Sequence, residues 1–140
     1  MPIAVLLAAA IAAPAAVVST ASSPDAPVEL FFGKLKAGDA AEAYRAIWAG
    51  TLIDRKPGAV QVMSDQTAMV IKYFGPIVGW ELLHEGPASP HFRERCYILR
   101  TEGGPVFFKF QLYDNGAKWV VTKLTFNDDH DKLQTTPQAQ

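Results

Sequence analysis

The period of the apolar residues changes once, at Gly75-Pro76, and that change sets most of what this chain of 140 residues can fold into. Before it, large apolar side chains recur three and four positions apart; after it they alternate. Val28, Phe31, Phe32 and Leu35 fall at i, i+3, i+4 and i+7, which predicts an amphipathic helix opened by the prolines at 24 and 27 and stopped by Gly38. Asp39 with Glu42 three residues on reads as a capping box for a second helix, with Ala40, Tyr44, Ile47 and Trp48 on one stripe and Gly50 at its end. A polar loop through Asp54, Arg55, Lys56 and Pro57 leads to a third helix that carries Val60, Met63, Thr67, Val70, Ile71 and Phe74 on one side. Gly75-Pro76 ends it, because proline has no amide hydrogen to donate and holds the residue before it away from helical geometry.

From Ile77 onward the alternation predicts four strands, near Ile77–Glu85, Phe92–Thr101, Val106–Tyr113 and Ala117–Phe126. Gly86-Pro87-Ala88-Ser89-Pro90, Gly103-Gly104 and Asp114-Asn115-Gly116 connect them, and connections this short make the sheet antiparallel. The expected class is therefore α+β, with N-terminal helices packed on a four-stranded antiparallel sheet. A three-residue loop at Asp114–Gly116 pairs Tyr113 with Ala117, Phe110 with Val120, Phe108 with Thr122 and Val106 with Leu124, giving one apolar face. At Gly103-Gly104 a two-residue loop sends Leu99, Tyr97 and Arg95 to that inner face, whereas a three-residue loop sends Arg100, Ile98 and Cys96 there. The first is preferred because it buries Tyr97 and Leu99, but the residues alone leave both open.

Ile3 to Val18 is almost wholly apolar and uncharged, and Ser19-Thr20-Ala21 supplies the small residues that a signal peptidase accepts. The expected organisation is a signal peptide at 1–21, a linker at 22–27, one domain at 28–127 and a polar tail at 128–140. The expected location is outside the cytoplasm, periplasmic or secreted. The apolar stretch is short of the roughly 20 residues that span a bilayer, and Pro14 interrupts it, so no membrane association is expected after signal removal. Thirteen Lys and Arg against fourteen Asp and Glu provide no field that would draw in nucleic acid, which is not an expected partner. Cys96 is the one cysteine, so it closes no internal bridge and forms no CxxC pair; it reads as a small apolar strand residue.

Three amphipathic helices followed by a meander that ends in Lys118-Trp119-Val120-Val121-Thr122-Lys123-Leu124-Thr125-Phe126 resemble the NTF2-like superfamily, especially its small secreted members. A cystatin-like roll is the nearest alternative, but it wraps a sheet around one main helix. The resemblance implies a strongly curved sheet closing with its helices around a conical cavity, which different members use for catalysis, ligand binding or protein association. Members similar to ketosteroid isomerase or scytalone dehydratase place an Asp or His deep in that cavity. Here Glu81, Glu85 and Glu94 fall out of phase with the inner face, which is expected to carry Trp80, Leu82 and His84 from one strand and Arg95 and Tyr97 from the next.

The expected pocket is accordingly Trp80, His84, Arg95, Tyr97, Phe108, Phe110 and Thr122. No residue is assigned a catalytic role, and no cofactor or metal is expected. His84, Glu85 and His91 lack an HExxH pattern, and the cluster Asp128, Asp129, His130 and Asp131 lacks the glycine and terminal glutamate of a calcium loop. The expected function is an exported, non-catalytic module that binds a small apolar ligand or a protein partner through the cavity or a sheet face. The alternative is a cofactor-free lyase or isomerase using His84, Arg95 and Tyr97, and a homodimer through the outer sheet face is a third arrangement this pattern permits.

Overall fold

A computed structural model describes residues 23–134. The expected signal peptide and the last residues of the expected tail lie outside them. Helix α1 runs Asp25–Lys36 and α2 runs Ala40–Trp48; a 3₁₀ turn at Leu52–Arg55 leads into α3, Pro57–Phe74. Asp39 caps α2 by accepting a hydrogen bond from the Glu42 amide at 3.0 Å. Gly38, Gly50 and Gly75 follow the three helices with φ of 88°, 79° and 92°, values that side chains disfavour, so each helix ends where a glycine permits the turn. The strands are β1, Ile77–Ser89; β2, Phe92–Thr101; β3, Gly104–Asp114; and β4, Trp119–Asn127, followed by the single helical turn α4, His130–Gln134. The strand order β1-β2-β3-β4 is an antiparallel meander, as expected, with the helices packed on a curved, open sheet.

The core lies between α1 and the inner face of the sheet. Val28, Phe31 and Phe32 have no exposure, and they meet Leu99, Phe108, Phe110 and Leu112 from β2 and β3, which have almost none. The rings interlock edge to face: Phe31 lies 5.8 Å from Phe108 and 5.6 Å from Phe110, and Phe32 lies 5.4 Å and 5.6 Å from the same two. Helix α2 adds Tyr44, Ile47 and Trp48 to this layer. Tyr44 and Thr67 share a hydroxyl hydrogen bond of 2.6 Å with neither residue exposed, and this joins α2 to α3.

Burial pushes the Tyr44 phenol well above its ordinary value of 10.0, more than the bond to Thr67 pulls it down. A folded-state pKa above the unfolded one contributes stability that is complete below pH 10 and is lost as pH rises past it. Chemical denaturation between pH 9 and 11 is expected to show stability falling above about pH 10. Tyr44→Phe should flatten that fall, while leaving the Thr67 hydroxyl unpaired should lower stability near neutral pH by about 1–2 kcal/mol. An unchanged alkaline slope in Tyr44→Phe would show that another group controls it.

Two registers differ from the sequence expectation. The β2–β3 hairpin has a two-residue loop, but it consists of Glu102 and Gly103, so that Thr101 pairs with Gly104, Leu99 with Val106, Tyr97 with Phe108 and Arg95 with Phe110. The inner set Leu99, Tyr97 and Arg95 is therefore the preferred one, shifted by two along the partner. The β3–β4 loop holds four residues because the Asn115 carboxamide accepts from both Ala117 and Lys118 amides at 3.0 Å, drawing both into the turn. Trp119 then faces Asp114, Val121 faces Leu112, and a register shift leaves Thr122 unpaired before Leu124 meets Phe110 and Phe126 meets Phe108.

β1 also departs from expectation. Most of the predicted Gly86–Pro90 loop continues the strand to Ser89, with register shifts near Leu83 and again between Glu85 and Ala88. The segment read as a solvated tail begins with α4, whose His130 ring lies 5.0 Å from Phe107 on the outer sheet face.

Candidate functional site

The seven residues expected to line one pocket are divided among four environments. Tyr97, Phe108 and Phe110 do share the inner face, but they are buried in ring contact with Phe31 or Phe32, so they form core packing. Trp80 stacks on Phe32 at 5.5 Å, and its indole N–H donates to the Glu29 carboxylate at 3.3 Å, closing the edge of the same layer. Thr122 sits at the β4 shift, exposed, with its hydroxyl donating to the Gln111 carbonyl at 3.3 Å. It cannot face Phe108, because the longer loop and the shift put Phe126 there.

His84 and Glu85 exchange faces relative to the expected alternation. Leu82 pairs with the inward Tyr97, but the skipped Leu83 makes His84 pair with the outward Cys96 and Glu85 with the inward Arg95. Arg95 therefore meets a carboxylate: its Nε donates to Glu85 at 2.9 Å, its Nη1 contacts Asp25 at the start of α1, and Nη1 also lies 3.4 Å from the Tyr97 hydroxyl. Burial alone would lower the Arg95 pKa, but its bonds to Glu85, Tyr97 and Asp25 outweigh this and raise it. The Tyr97 phenol is pushed up, chiefly by burial. This group is a permanent cation held between two acids with a protonated phenol beside it. It ties α1 to the sheet through two charge-assisted contacts.

An open concavity with apolar walls lies elsewhere. Two adjoining hollows, of about 460 and 440 Å³, share Met69, Val70 and Phe126 and together form a groove between α3 and the free edge at β4. Met63 and Leu124 line one end, while Tyr73 and Phe74 line the other. The polar groups Gln66, Asn127 and Asp128 stand among them. Helix α3 packs mainly on α2 and the 3₁₀ turn, so it leans over the sheet without closing on it. Met69 is 72% exposed and Tyr73 86%, an arrangement that leaves large apolar surface facing solvent.

None of the groove residues belonged to the expected pocket. A signal was nevertheless present: Val62, Met69 and Tyr73 recur at seven and four positions, forming a second apolar stripe on α3 beside the one that packs inward. A helix with one buried face has no packing need for a second.

No family model, curated protein or solved structure matches this chain. Among the described residues, no helix is long and apolar enough to cross a membrane.

Proposed function

We propose that this chain is an exported, non-catalytic binding module whose ligand is a small, elongated apolar molecule held in the groove between α3 and β4. The carrying observation is the groove itself: a solvent-facing channel, walled by Met, Val, Leu, Phe and Tyr, beside a core already filled by aromatic rings. Its volume falls in the range of small-molecule sites, and its polar groups are few and set among apolar walls, the pattern that orients a mostly apolar ligand. From Met63 to Phe74 the helix rises about 16 Å, which matches an extended hydrocarbon chain of about a dozen carbons. Methionines at two positions allow the wall to adapt to a flexible chain.

The order of elements supports the NTF2-like resemblance, with one adjustment. The interior expected to form a conical cavity is occupied by Phe31, Phe32, Phe108 and Phe110, so binding is displaced to the gap between α3 and the sheet. Arg95 is engaged by Glu85 and Asp25, and Tyr97 is packed among the core rings, so neither side chain faces the groove, which supports the binding reading over a lyase or isomerase built on them.

Dodecanoate should displace an environment-sensitive naphthalene dye from the full chain with a simple one-site curve. Met69→Glu should weaken both dye and dodecanoate by about tenfold or more, since a carboxylate in an apolar wall opposes an apolar ligand. Its stability should change by less than about 0.5 kcal/mol, because Met69 is mostly exposed. Equal dodecanoate affinity in Met69→Glu and the parent would place the ligand outside this groove.

A further inference from the structure

The skipped residue Leu83 does more than hand Glu85 to Arg95. It brings His84 onto the outer face directly across from Cys96, and α4 lays His130 over the same spot. One imidazole nitrogen from each histidine and the Cys96 sulfur all lie within 4.8 Å of one another. We propose that His84, Cys96 and His130 bind a thiophilic late first-row divalent ion, with zinc the best match to the ligand set.

The ligand types carry the argument. Two imidazoles and a thiolate suit zinc or a neighbouring late transition metal and are poor donors for calcium or magnesium, which take oxygen. Ligand atoms around tetrahedral zinc stand about 3.3–3.7 Å apart, given bonds of about 2.0 Å to nitrogen and 2.3 Å to sulfur. The three donors, all within 4.8 Å of one another, therefore need to close by no more than about 1.5 Å. Two are already fixed as cross-strand neighbours, and the third sits on a single helical turn that can settle onto them.

The set is also open on one side. A cavity of about 260 Å³, lined by His84 and Cys96 together with Gly86, Pro87, Glu94, Lys109 and Leu133, adjoins the donors and leaves room for a fourth ligand. Lys109 is held there by Glu94 at 3.2 Å and by the Leu133 carbonyl at 3.4 Å. On binding, the Cys96 thiol loses its proton to solvent as the metal–sulfur bond forms; no oxidation or reduction takes place. The ion would join β1, β2 and α4, stapling the C-terminal turn to the outer face of the sheet. This site is separate from the α3–β4 groove, and the two proposals stand or fall independently.

The test is titration of the full chain with Zn²⁺ against a chromophoric chelator, with Co²⁺ as a spectroscopic substitute. One equivalent of Zn²⁺ should bind with a dissociation constant of about 1 μM or below. Co²⁺ should give thiolate-to-metal charge-transfer absorption in the near ultraviolet. His130→Ala should weaken Zn²⁺ by about tenfold or more, and Cys96→Ser should do the same and remove the charge-transfer band. His91→Ala should change nothing, because His91 stands at the β1–β2 turn near Asp114. The proposal is overturned if the parent chain forms no one-to-one complex, if His130→Ala binds as tightly as the parent, or if Co²⁺ binds without the thiolate band. Should Cys96→Ser fail to fold, His130→Ala and the parent's Co²⁺ spectrum still decide the matter.

Discussion

Phe31→Ala is expected to destabilise this protein by about 3–5 kcal/mol, a large share of the total stability of a domain this size. Phe31 has no exposure, and its ring meets Tyr44 at 5.0 Å, Phe32 at 5.4 Å, Phe110 at 5.6 Å and Phe108 at 5.8 Å. Truncation removes the burial of the ring and leaves a void that four other rings, each locked by its own neighbours, cannot fill. Urea denaturation should show a lower midpoint with an unchanged slope. The outcome also bears on function. A loss of less than about 1.5 kcal/mol would mean that the space between α1 and the sheet is loosely packed. The interior would then compete with the α3–β4 groove as the place where a ligand sits.

Gly103→Ala is expected to cost about 2–4 kcal/mol through a different cause, collision with backbone. A Cβ at Gly103 would lie 2.4 Å from the Phe74 carbonyl oxygen and 3.1 Å from its carbon, and a backbone carbonyl cannot rotate aside as a side chain does. The same approach carries two hydrogen bonds, Gly103 N–H to the Phe74 carbonyl at 2.7 Å and Glu102 N–H to the Pro76 carbonyl at 3.1 Å. Together they fasten the end of α3 to the β2–β3 turn. Forcing these segments apart breaks both bonds and moves Phe74, one wall of the groove, so dodecanoate affinity should fall along with stability. Gly33→Ala is the control. It lies within α1 with nothing within 4 Å of the added carbon, and should be stabilising by about 0.5–1 kcal/mol. If Gly103→Ala unfolds at the same urea concentration as the parent chain, the clasp between α3 and the hairpin is not closed in solution.

Much of this architecture is legible from local pattern. The three helices begin and end within a few residues of where Pro24, Asp39, Gly38, Gly50 and Gly75-Pro76 place them, because caps and breakers act over one turn of chain. The inward stripes Val28, Phe31, Phe32 and Leu35, and Tyr44, Ile47 and Trp48, are the stripes that pack. The strand interiors Val106, Phe108, Phe110 and Leu112 follow from alternation alone. What failed was phase beyond an interruption. A strict period of two carries His84 and Thr122 to the inner face, yet one skipped residue in β1 and one in β4 turn both away. For β4 the residues do hold a trace of the interruption, since Trp119 and Val121 lie two apart but Leu124 follows after three. For β1, Leu82-Leu83 offers two equivalent apolar residues, and only the charge pairing of Glu85 with Arg95 across the strands favours one phase.

The second stripe of α3 is visible in its sequence, but that it stays uncovered is not, and no single element contains the proposed metal site. The groove exists because α3 packs on α2 and leaves its second stripe uncovered, a matter of how two helices set the angle of a third. The His84, Cys96 and His130 cluster joins three segments, two of which meet by register and one by the return of the chain over the sheet. By itself, then, the amino-acid sequence determined the class of fold, the order of its elements and the composition of its core, since those depend on neighbours within a turn or a strand. Which polar and sulfur-bearing side chains stand together, and which apolar ones remain facing water, only the tertiary structure decided. Those outcomes rest on single-residue shifts in pairing and on inter-element angles, and no local period encodes either.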